Sequence, residues 1–124
     1  MKVRNKIGSP YEEGGKRVLF VLVLAFIVSL ATMIPYIVYD GGYFLMYGDF
    51  NVQQYPFYMH GHDAILAGET GWDFKTDLGV SFIGSYSFYN IGSPFFYLTL
   101  LLPSGAVPYA IGPLLALKIG CAAA

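Results

Sequence analysis

The side chains able to do chemistry in this chain lie mainly in one short stretch. Asp49 is followed by Gln53 and Gln54, and then by His60 and Asp63. An ionised carboxylate such as that of Asp49 can take a proton from a hydroxyl group, but an Asp also suits a helix start or a turn. On a helix, His60 and Asp63 are three residues apart and can touch, which predicts a surface pair. The stretch therefore offers a carboxylate, two amides and an imidazole.

Neither histidine nor cysteine spacing predicts a metal site. His60 and His62 would point about 200° apart on a helix, whereas zinc needs convergent ligands. Cys121 is the single cysteine, which excludes an internal disulfide framework. We therefore expect no metal-ligand set in this chain.

The composition excludes most soluble functions. The chain has 124 residues, of which 56% are hydrophobic and 12% are charged, and its mean hydropathy is +0.54. Soluble domains carry about 25% charged residues, and disordered chains are more polar still. The net charge of −1 lacks the basic footprint of a nucleic-acid-binding protein. We expect a membrane protein, or part of one, with the lipid bilayer as a partner and no nucleic acid.

An uncharged stretch at residues 18–39 predicts a transmembrane helix, because about 20 apolar residues cross a bilayer. A signal peptide is the alternative, but its apolar region is shorter, about 7–15 residues, and ends at a cleavage site of small residues. Five basic and two acidic residues precede the span, whereas one Lys and six acidic residues lie between Asp40 and Asn90. The positive-inside rule then predicts a cytoplasmic tail at residues 1–17 and an extracytoplasmic loop at residues 40–94.

Within this loop, residues 52–67 predict an amphipathic helix that lies on the membrane surface. Asn51 suits its N-cap, since Gln54 follows three residues later, and Gly68 suits its C-terminal end. Because Pro56 falls just past the first turn, the helix could instead start at Tyr55. At 100° per residue, one apolar face would carry Val52, Tyr55, Met59 and Leu66.

The remaining apolar segments are short or interrupted. Residues 95–102 predict a short apolar helix between two prolines, which could be re-entrant, a loop helix or half of a broken span. Residues 107–124 predict the start of a second, truncated membrane helix, in which Lys118 either reaches an interface or serves a site. We expect an all-α fold without a self-contained core, the N-terminal fragment of a longer polytopic protein.

An ordered series of motifs resembles the YfhO-like family of bacterial membrane proteins, multispanning proteins related to the GT-C glycosyltransferases. The series covers the chain from Gly48 to its end, and the first span is compatible with it. Its members here are Gly48-Asp49-Phe50-Asn51-Val52-Gln53-Gln54-Tyr55-Pro56-Phe57, Ala64 to Gly68, Trp72, the Gly-rich run from Gly79 to Tyr86, Ser93-Pro94-Phe95, Pro103 and Leu117-Lys118-Ile119.

The resemblance implies transfer of a sugar from a polyprenyl-phosphate carrier to an extracytoplasmic acceptor of the cell envelope, such as a teichoic acid. It also implies a multi-pass protein of the bacterial plasma membrane. GT-C enzymes place a catalytic acid in the first outward loop, which makes Asp49 the expected general base. Gln53, Gln54 and His60 would bind substrate, and Lys118 would neutralise the donor phosphate. Some GT-C enzymes use a divalent metal, but nothing in this sequence requires one, so the cofactor stays unknown.

Other interpretations stay open from the sequence. Gln53 and Gln54 could simply be solvated helix residues, and His60 could bind an acceptor or influence Asp49. Several aromatic residues could either stack on a sugar or form an interfacial belt: Trp72, Phe74, Tyr86, Phe88 and Tyr89. The chain could also be a non-catalytic membrane subunit, or part of a lipid or sugar transporter, since transporters use broken helices and intramembrane charges. If the chain is a fragment of a glycosyltransferase, we expect it to have no transferase activity alone.

Overall fold

The computed structural model describes residues 10–44 and 47–124, and it confirms the all-α class. Within these residues the β-structure is one hairpin, and each of its two strands has two residues. In chain order the elements are α1 (Pro10–Tyr39), a first π-helical segment (Phe50–Gln54) that continues into α2 (Tyr55–Leu66), strands β1 (Trp72–Asp73) and β2 (Val80–Ser81), α3 (Phe82–Tyr86), a second π-helical segment (Ser87–Ile91), 3-10 helices at Phe96–Leu101 and Ser104–Ala106, and α4 (Val107–Ala123).

Among the described residues, two helical segments are long and apolar enough to cross a bilayer. Glu13–Tyr39, within α1, has 27 residues and a mean hydropathy of 2.7, and Ser104–Ala123, which contains α4, has 20 residues and a mean hydropathy of 1.5. Within the most apolar part of α1 only 11% of the residues are buried in the chain. The apolar side chains of α1 therefore face outward, which suits a helix surrounded by lipid or by further helices.

A pair of glycines ends α1. Gly41 and Gly42 adopt φ values of +67° and +104°, a left-handed conformation that side chains with a Cβ disfavour. The amide of Gly42 donates to the carbonyl of Ile37 at 2.8 Å, which satisfies one of the last carbonyls of the helix. The chain can then turn back toward α4.

Small residues allow α4 to pack closely against α1. Gly112, Ala116 and Gly120 recur every four residues and are buried. A Cβ on Gly112 would lie 3.5 Å from a methyl of Ile37, and a Cβ on Gly120 would lie 2.9 Å from the carbonyl oxygen of Leu22. Higher residue numbers on α4 thus meet lower numbers on α1, so the two helices are antiparallel, with a small-residue interface typical of membrane helices.

The helix that contains α2 packs along α4 and runs antiparallel to it. Phe50 packs against the cluster that contains Ala116, whereas Tyr58 packs in the cluster that contains Ile111. Farther along, His62 Nε2–H donates to the carbonyl of Leu102 at 3.1 Å. As the residue numbers of this helix rise, those of its partners fall. The helix therefore begins beside the middle of α4 and extends toward the residues that precede α4.

The N-cap of this helix differs from the predicted Asn51, whereas α2 begins at Tyr55, the alternative start. Asn51 lies inside the first π-helical segment and caps nothing, because the helix already begins before it. On the predicted membrane-facing apolar face, Val52 and Leu66 are exposed, whereas Tyr55 and Met59 are half-buried. The buried face instead carries Tyr58, Gly61, His62 and Ala64. The reason is tertiary: α4, α3 and the loop around Leu102 cover the face that holds the histidine.

The hairpin and α3 cover the C-terminal half of α2. Trp72 pairs with Ser81 and Asp73 pairs with Val80. The Ser81 hydroxyl caps α3 by accepting a hydrogen bond from the amide of Gly84 at 3.3 Å. Phe82 and Tyr86 of α3 are buried against Ala64 of α2. This packing brings the hairpin over the helix surface next to His60.

Candidate functional site

A small cavity separates the first π-helical segment and α2 from α4. Its volume is about 150 Å³. We call it the Lys118 cavity, and its lining residues are Phe50, Gln54, Tyr58, Ile111, Leu114, Leu115 and Lys118. Gln54 and Lys118, two of the site residues predicted from the sequence, therefore meet in one place although they are far apart in the chain.

The ammonium of Lys118 is held by aromatic groups. Nζ donates to the hydroxyl of Tyr58 at 3.2 Å and lies 5.9 Å from the centre of the same ring and 5.8 Å from that of Phe95. In the described part of the chain no carboxylate forms an ion pair with Lys118. Tyr58 packs beside Ile111, which lies two turns closer to the start of α4 than Lys118 does. The Lys118 side chain therefore extends toward the start of α4.

Asp49 lies in the first turn of the helix that continues into α2. Its backbone is helical, with φ −62° and ψ −24°, and its side chain caps no backbone N–H. The residue is exposed. Among the described residues its carboxylate makes no hydrogen bond or ion pair. Its neighbour Phe50 lines the Lys118 cavity, whereas Gln53 is half-buried and lies outside that lining.

A second, larger cleft opens beside His60. Its volume is about 310 Å³. We call it the His60 cleft, and its lining residues are His60, Ala64, Glu69, Gly71, Trp72, Asp73, Phe74 and Lys75. The hairpin thus forms one wall of the cleft and α2 forms the other.

A chain of hydrogen bonds fixes the imidazole at this cleft. His60 Nε2 lies 2.6 Å from Asp73 Oδ2, and because a carboxylate only accepts, we assign the proton to Nε2. The Thr76 hydroxyl also donates to Oδ2, at 2.6 Å, and is itself 2.6 Å from the Tyr86 hydroxyl. Since the Thr76 proton is used, Tyr86 is the donor in that contact.

The carboxylate of Asp73 stays ionised in this network. Burial raises the pKa of Asp73, but hydrogen bonds from the Thr76 hydroxyl, the Lys75 amide and His60 lower it more, so that the pKa falls below its ordinary value. The Lys75 amide donates to the other carboxylate oxygen, Oδ1, at 2.8 Å. A carboxylate that accepts three hydrogen bonds favours its charged form and holds the His60 ring in one orientation.

The predicted surface pair between His60 and Asp63 is wrong. Asp63 Oδ1 instead accepts a hydrogen bond from the Ser104 hydroxyl at 2.7 Å and lies 2.9 Å from Nδ1 of His62. These hydrogen bonds, that of Ser104 first, lower the pKa of the Asp63 carboxyl. His62 is fully buried, so Asp63 and His62 tie α2 to the loop before α4 and away from the His60 cleft.

The five aromatic residues that could stack on a sugar or form an interfacial belt lie in three different environments. Trp72 and Phe74 line the His60 cleft. Tyr86 is buried and bonded to Thr76, and Tyr89 packs on Phe57 with ring centres 4.8 Å apart. Phe88 is exposed outside the cleft. Of the set, Trp72 and Phe74 are therefore placed to contact a ligand in this cleft.

Three residues at these sites are not predicted from the sequence: Tyr58, Asp73 and Thr76. An Asp followed three residues later by a Thr is typical of a side-chain-bonded turn, and this spacing is the signal that Asp73 and Thr76 offered. Tyr58 offers none, because it stands among apolar residues of a helix. In the described parts of the chain no group of three His, Cys, Asp or Glu residues is arranged to hold a metal ion.

Comparison with known proteins places the chain in a family. No curated protein and no solved structure matches it. A family model described as bacterial membrane protein YfhO matches residues 19–124. The matched region contains the C-terminal two thirds of α1, the Lys118 cavity, the His60 cleft and α4. Because the match covers most of the chain, this protein belongs to the YfhO family of bacterial membrane proteins.

Proposed function

We propose that the chain is the N-terminal part of a membrane glycosyltransferase that moves a sugar from a polyprenyl-phosphate carrier to an extracytoplasmic acceptor of the cell envelope. The observation that carries the proposal is the Lys118 cavity. It joins Gln54 and Lys118 beside Phe50, the residue next to Asp49. A cation and an amide thus line one cavity, and Asp49 precedes one of its lining residues in the chain.

The cavity suits the phosphate of the donor. The ammonium of Lys118 has an aromatic hydroxyl and two aromatic faces as partners, and no carboxylate among the described residues neutralises it. A charged side chain within a membrane helix is costly and marks a functional site. An anion that enters with a lipid chain would supply the missing negative charge, and the Gln54 amide could donate to the same phosphate.

The carboxylate of Asp49 suits the acceptor hydroxyl. A residue that only started the helix would use its side chain to cap a backbone N–H, and Asp49 does not. Its exposed carboxylate is available to a second substrate. General-base assistance of this kind is worth roughly 10²–10⁴-fold in rate.

The proposed reaction balances with these groups. The acceptor oxygen forms a bond to the anomeric carbon, the bond between that carbon and the phosphate oxygen breaks, and the polyprenyl phosphate leaves with the electron pair. The acceptor proton passes to Asp49. The transition state has oxocarbenium character, as in other glycosyl transfers, and Lys118 offsets the charge that develops on the leaving phosphate.

The orientation of the helices supports an outward site. The basic residues that precede the uncharged run at 18–39 favour a cytoplasmic N-terminus. Because α1 and α4 are antiparallel, the connection from Asp40 to Pro103 would then open to the extracytoplasmic side, with the helix start at Asp49 beside the middle of α4 and the His60 cleft farther out.

The test compares two Asp→Asn variants of the native protein in membrane vesicles that contain a polyprenyl-phosphate sugar and the cell-envelope acceptor. Asp49→Asn should lower the transfer rate by roughly 10²–10⁴-fold, with unchanged protein level and unfolding temperature. Asp77→Asn is the matched control, because Asp77 is also exposed and lies outside both cavities. Transfer by Asp49→Asn at the wild-type rate would contradict the assignment of the base. Movement of the sugar lipid across the vesicle membrane without any glycosylated product would favour a transporter component instead.

A further inference from the structure

The His60 cleft lies too far from Asp49 to share its reacting atoms. Both residues stand on the continuous helix that begins at Gly48 and ends at Leu66. Eleven residues separate them, which corresponds to about 16 Å along a helix axis. A group bound in the cleft would therefore be a part of a ligand remote from the bond that changes. Remote binding of this kind positions a substrate without taking part in the chemistry.

The imidazole of His60 keeps one acceptor atom that the described residues leave unused. Its Nε2–H is committed to Asp73, so in the neutral ring Nδ1 carries a lone pair. Among the described residues no hydrogen bond to Nδ1 is formed. The His60 side chain is 23% exposed and lines the cleft. The fixed ring is thus ready to accept a hydrogen bond from a ligand hydroxyl.

Aromatic rings form the rim of the same cleft. Trp72 and Phe74 are largely exposed although both are large and apolar, and their ring centres lie 6.5 Å apart. The Trp72 indole crosses the backbone at Gly79, where a Cβ would lie 2.6 Å from Nε1, so the hairpin backbone supports the ring from one side. Aromatic faces of this kind bind the C–H face of a sugar, while nearby polar groups bind its hydroxyls.

The charges around the cleft are already paired. The Lys75 ammonium donates to the Glu69 carboxylate at 2.9 Å, and Asp73 is held by His60, Thr76 and the Lys75 amide. An anionic or cationic ligand would have to displace one of these partners. An uncharged ligand rich in hydroxyl groups would not.

From these contacts we propose that the His60 cleft is a binding site for an uncharged sugar ring, which stacks on Trp72 and Phe74 and donates a hydroxyl to Nδ1 of His60. Its volume of about 310 Å³ lies at the lower end of the range for small-molecule sites, about 300–1,000 Å³. The assignment of that ring to the acceptor, at a distance from the transferred sugar, rests on the proposed glycosyl transfer. Asp73 is a positioning residue, because it acts through the orientation of His60.

The experiment measures binding directly. The chain is reconstituted in lipid nanodiscs, free of glycoside detergents, and titrated with cellobiose as the probe and with glycerol as a hydroxylated molecule without a ring. Trp72 is the chain's single tryptophan, so its fluorescence reports on the cleft, and saturation-transfer NMR on the cellobiose protons gives a second readout. Cellobiose should shift the Trp72 emission and show saturation transfer, whereas glycerol should do neither.

Matched variants locate the binding. Phe74→Ala and Phe88→Ala remove rings that are 80% and 89% exposed, but only Phe74 lines the cleft. We expect Phe74→Ala to raise the Kd for cellobiose about tenfold, the effect of losing roughly one ring contact, and Phe88→Ala to leave it unchanged. His60→Ala should weaken binding to a similar extent. Asp73→Asn should weaken it less, because the imidazole remains but its proton is no longer fixed on Nε2.

The outcomes separate this proposal from the proposed function. Absence of cellobiose binding, or equal effects of Phe74→Ala and Phe88→Ala, overturns the cleft as a sugar site and leaves the Asp49 assay untouched. Quenching of Trp72 by brominated lipid without any response to cellobiose also overturns it, since the rim would then be a membrane anchor. Cellobiose binding that depends on Phe74 and His60 supports the site, even if the vesicle assay yields no glycosylated product and the glycosyltransferase proposal falls.

Discussion

Lys118 and Tyr58 form a pair whose energetics can be tested by a double-mutant cycle. The perturbations are Lys118→Met, which keeps the length of the side chain and removes the charge, and Tyr58→Phe, which removes one hydroxyl. The hydroxyl oxygen lies 3.2 Å from Nζ. Tyr58 is buried, with 3% of its surface exposed, so water cannot replace the lost partner without a rearrangement.

The magnitudes follow from the contacts. A Lys in the middle of a membrane helix costs about 2.5–3.5 kcal/mol. A hydrogen bond to a charged group returns about 1.5–3 kcal/mol, and the two ring contacts return about 0.5–1 kcal/mol each. Lys118→Met should therefore change the free energy of unfolding by less than about 1 kcal/mol, because loss and gain nearly cancel. Tyr58→Phe should lower it by about 1.5–3 kcal/mol, because the half-buried ammonium keeps one partner fewer.

In the Lys118→Met background the same Tyr58→Phe change should cost about 1 kcal/mol or less, so the coupling free energy is about 1–2 kcal/mol. The assay is reversible unfolding in bicelles, followed by the far-ultraviolet circular dichroism of the helices. Additive effects, with no coupling, would refute the pairing of Nζ with the hydroxyl. A loss of several kcal/mol in Lys118→Met alone would show that the ammonium is required for folding, and it would remove the argument that Lys118 is present for an anionic ligand.

Two further predictions concern helix packing and acid stability, and the same unfolding assay tests both. Gly120→Ala should destabilise the chain by about 1–3 kcal/mol, because its Cβ would lie 2.9 Å from the Leu22 carbonyl, whereas Gly14→Ala, with open space around it, should stabilise by about 0.5–1 kcal/mol; equal effects would contradict the close approach of α1 and α4. The folded-state pKa of Asp73 lies below its ordinary value of 3.8, so its stabilisation is complete above that value and is lost as the pH falls through the lower pKa. Asp73→Asn should therefore be less stable than wild type at pH near 7, and the difference should shrink toward pH near 3; a difference independent of pH would exclude this role of the carboxylate.

The helical class follows from the sequence because hydropathy is a local sum. The uncharged run at 18–39 is predicted as a membrane helix by its composition alone, and α1 contains it. The same holds for the apolar run that becomes α4. The prediction of either helix requires no knowledge of which residues are neighbours in space.

The partners of the site residues depend on tertiary contacts and do not follow from local spacing. Spacing on one helix pairs His60 with Asp63, but the hairpin folds Asp73, thirteen residues away, onto the imidazole at 2.6 Å. Gln54 and Lys118 are identified as candidates by their residue type. Their meeting in one cavity depends on α2 packing along α4, which no single helix encodes.

The face of α2 that packs against the protein does not follow from a helical wheel, for the same reason. A helical wheel places Val52 and Leu66 on the apolar side, yet both are exposed, and the buried side carries His62 with its hydrogen bonds to Leu102 and Asp63. Burial of a polar residue is favourable once its partners are supplied. Those partners come from a later part of the chain, which a wheel drawn for one helix does not contain.

The first π-helical segment sets a constraint on how this region can vary in evolution. Its wider turn, closed by the bond from the Tyr55 amide to the Phe50 carbonyl, accommodates one residue more than an α-helical turn would. Deletion of a single residue between Phe50 and Gln54 would return the turn to α-helical spacing and rotate Asp49 by about 100° about the helix axis relative to Gln54 and Lys118. Junctions between loops and helices usually tolerate insertions and deletions. Here an insertion or deletion would change the helical phase. Homologues that keep the function should therefore keep the length of this stretch even where its residues differ.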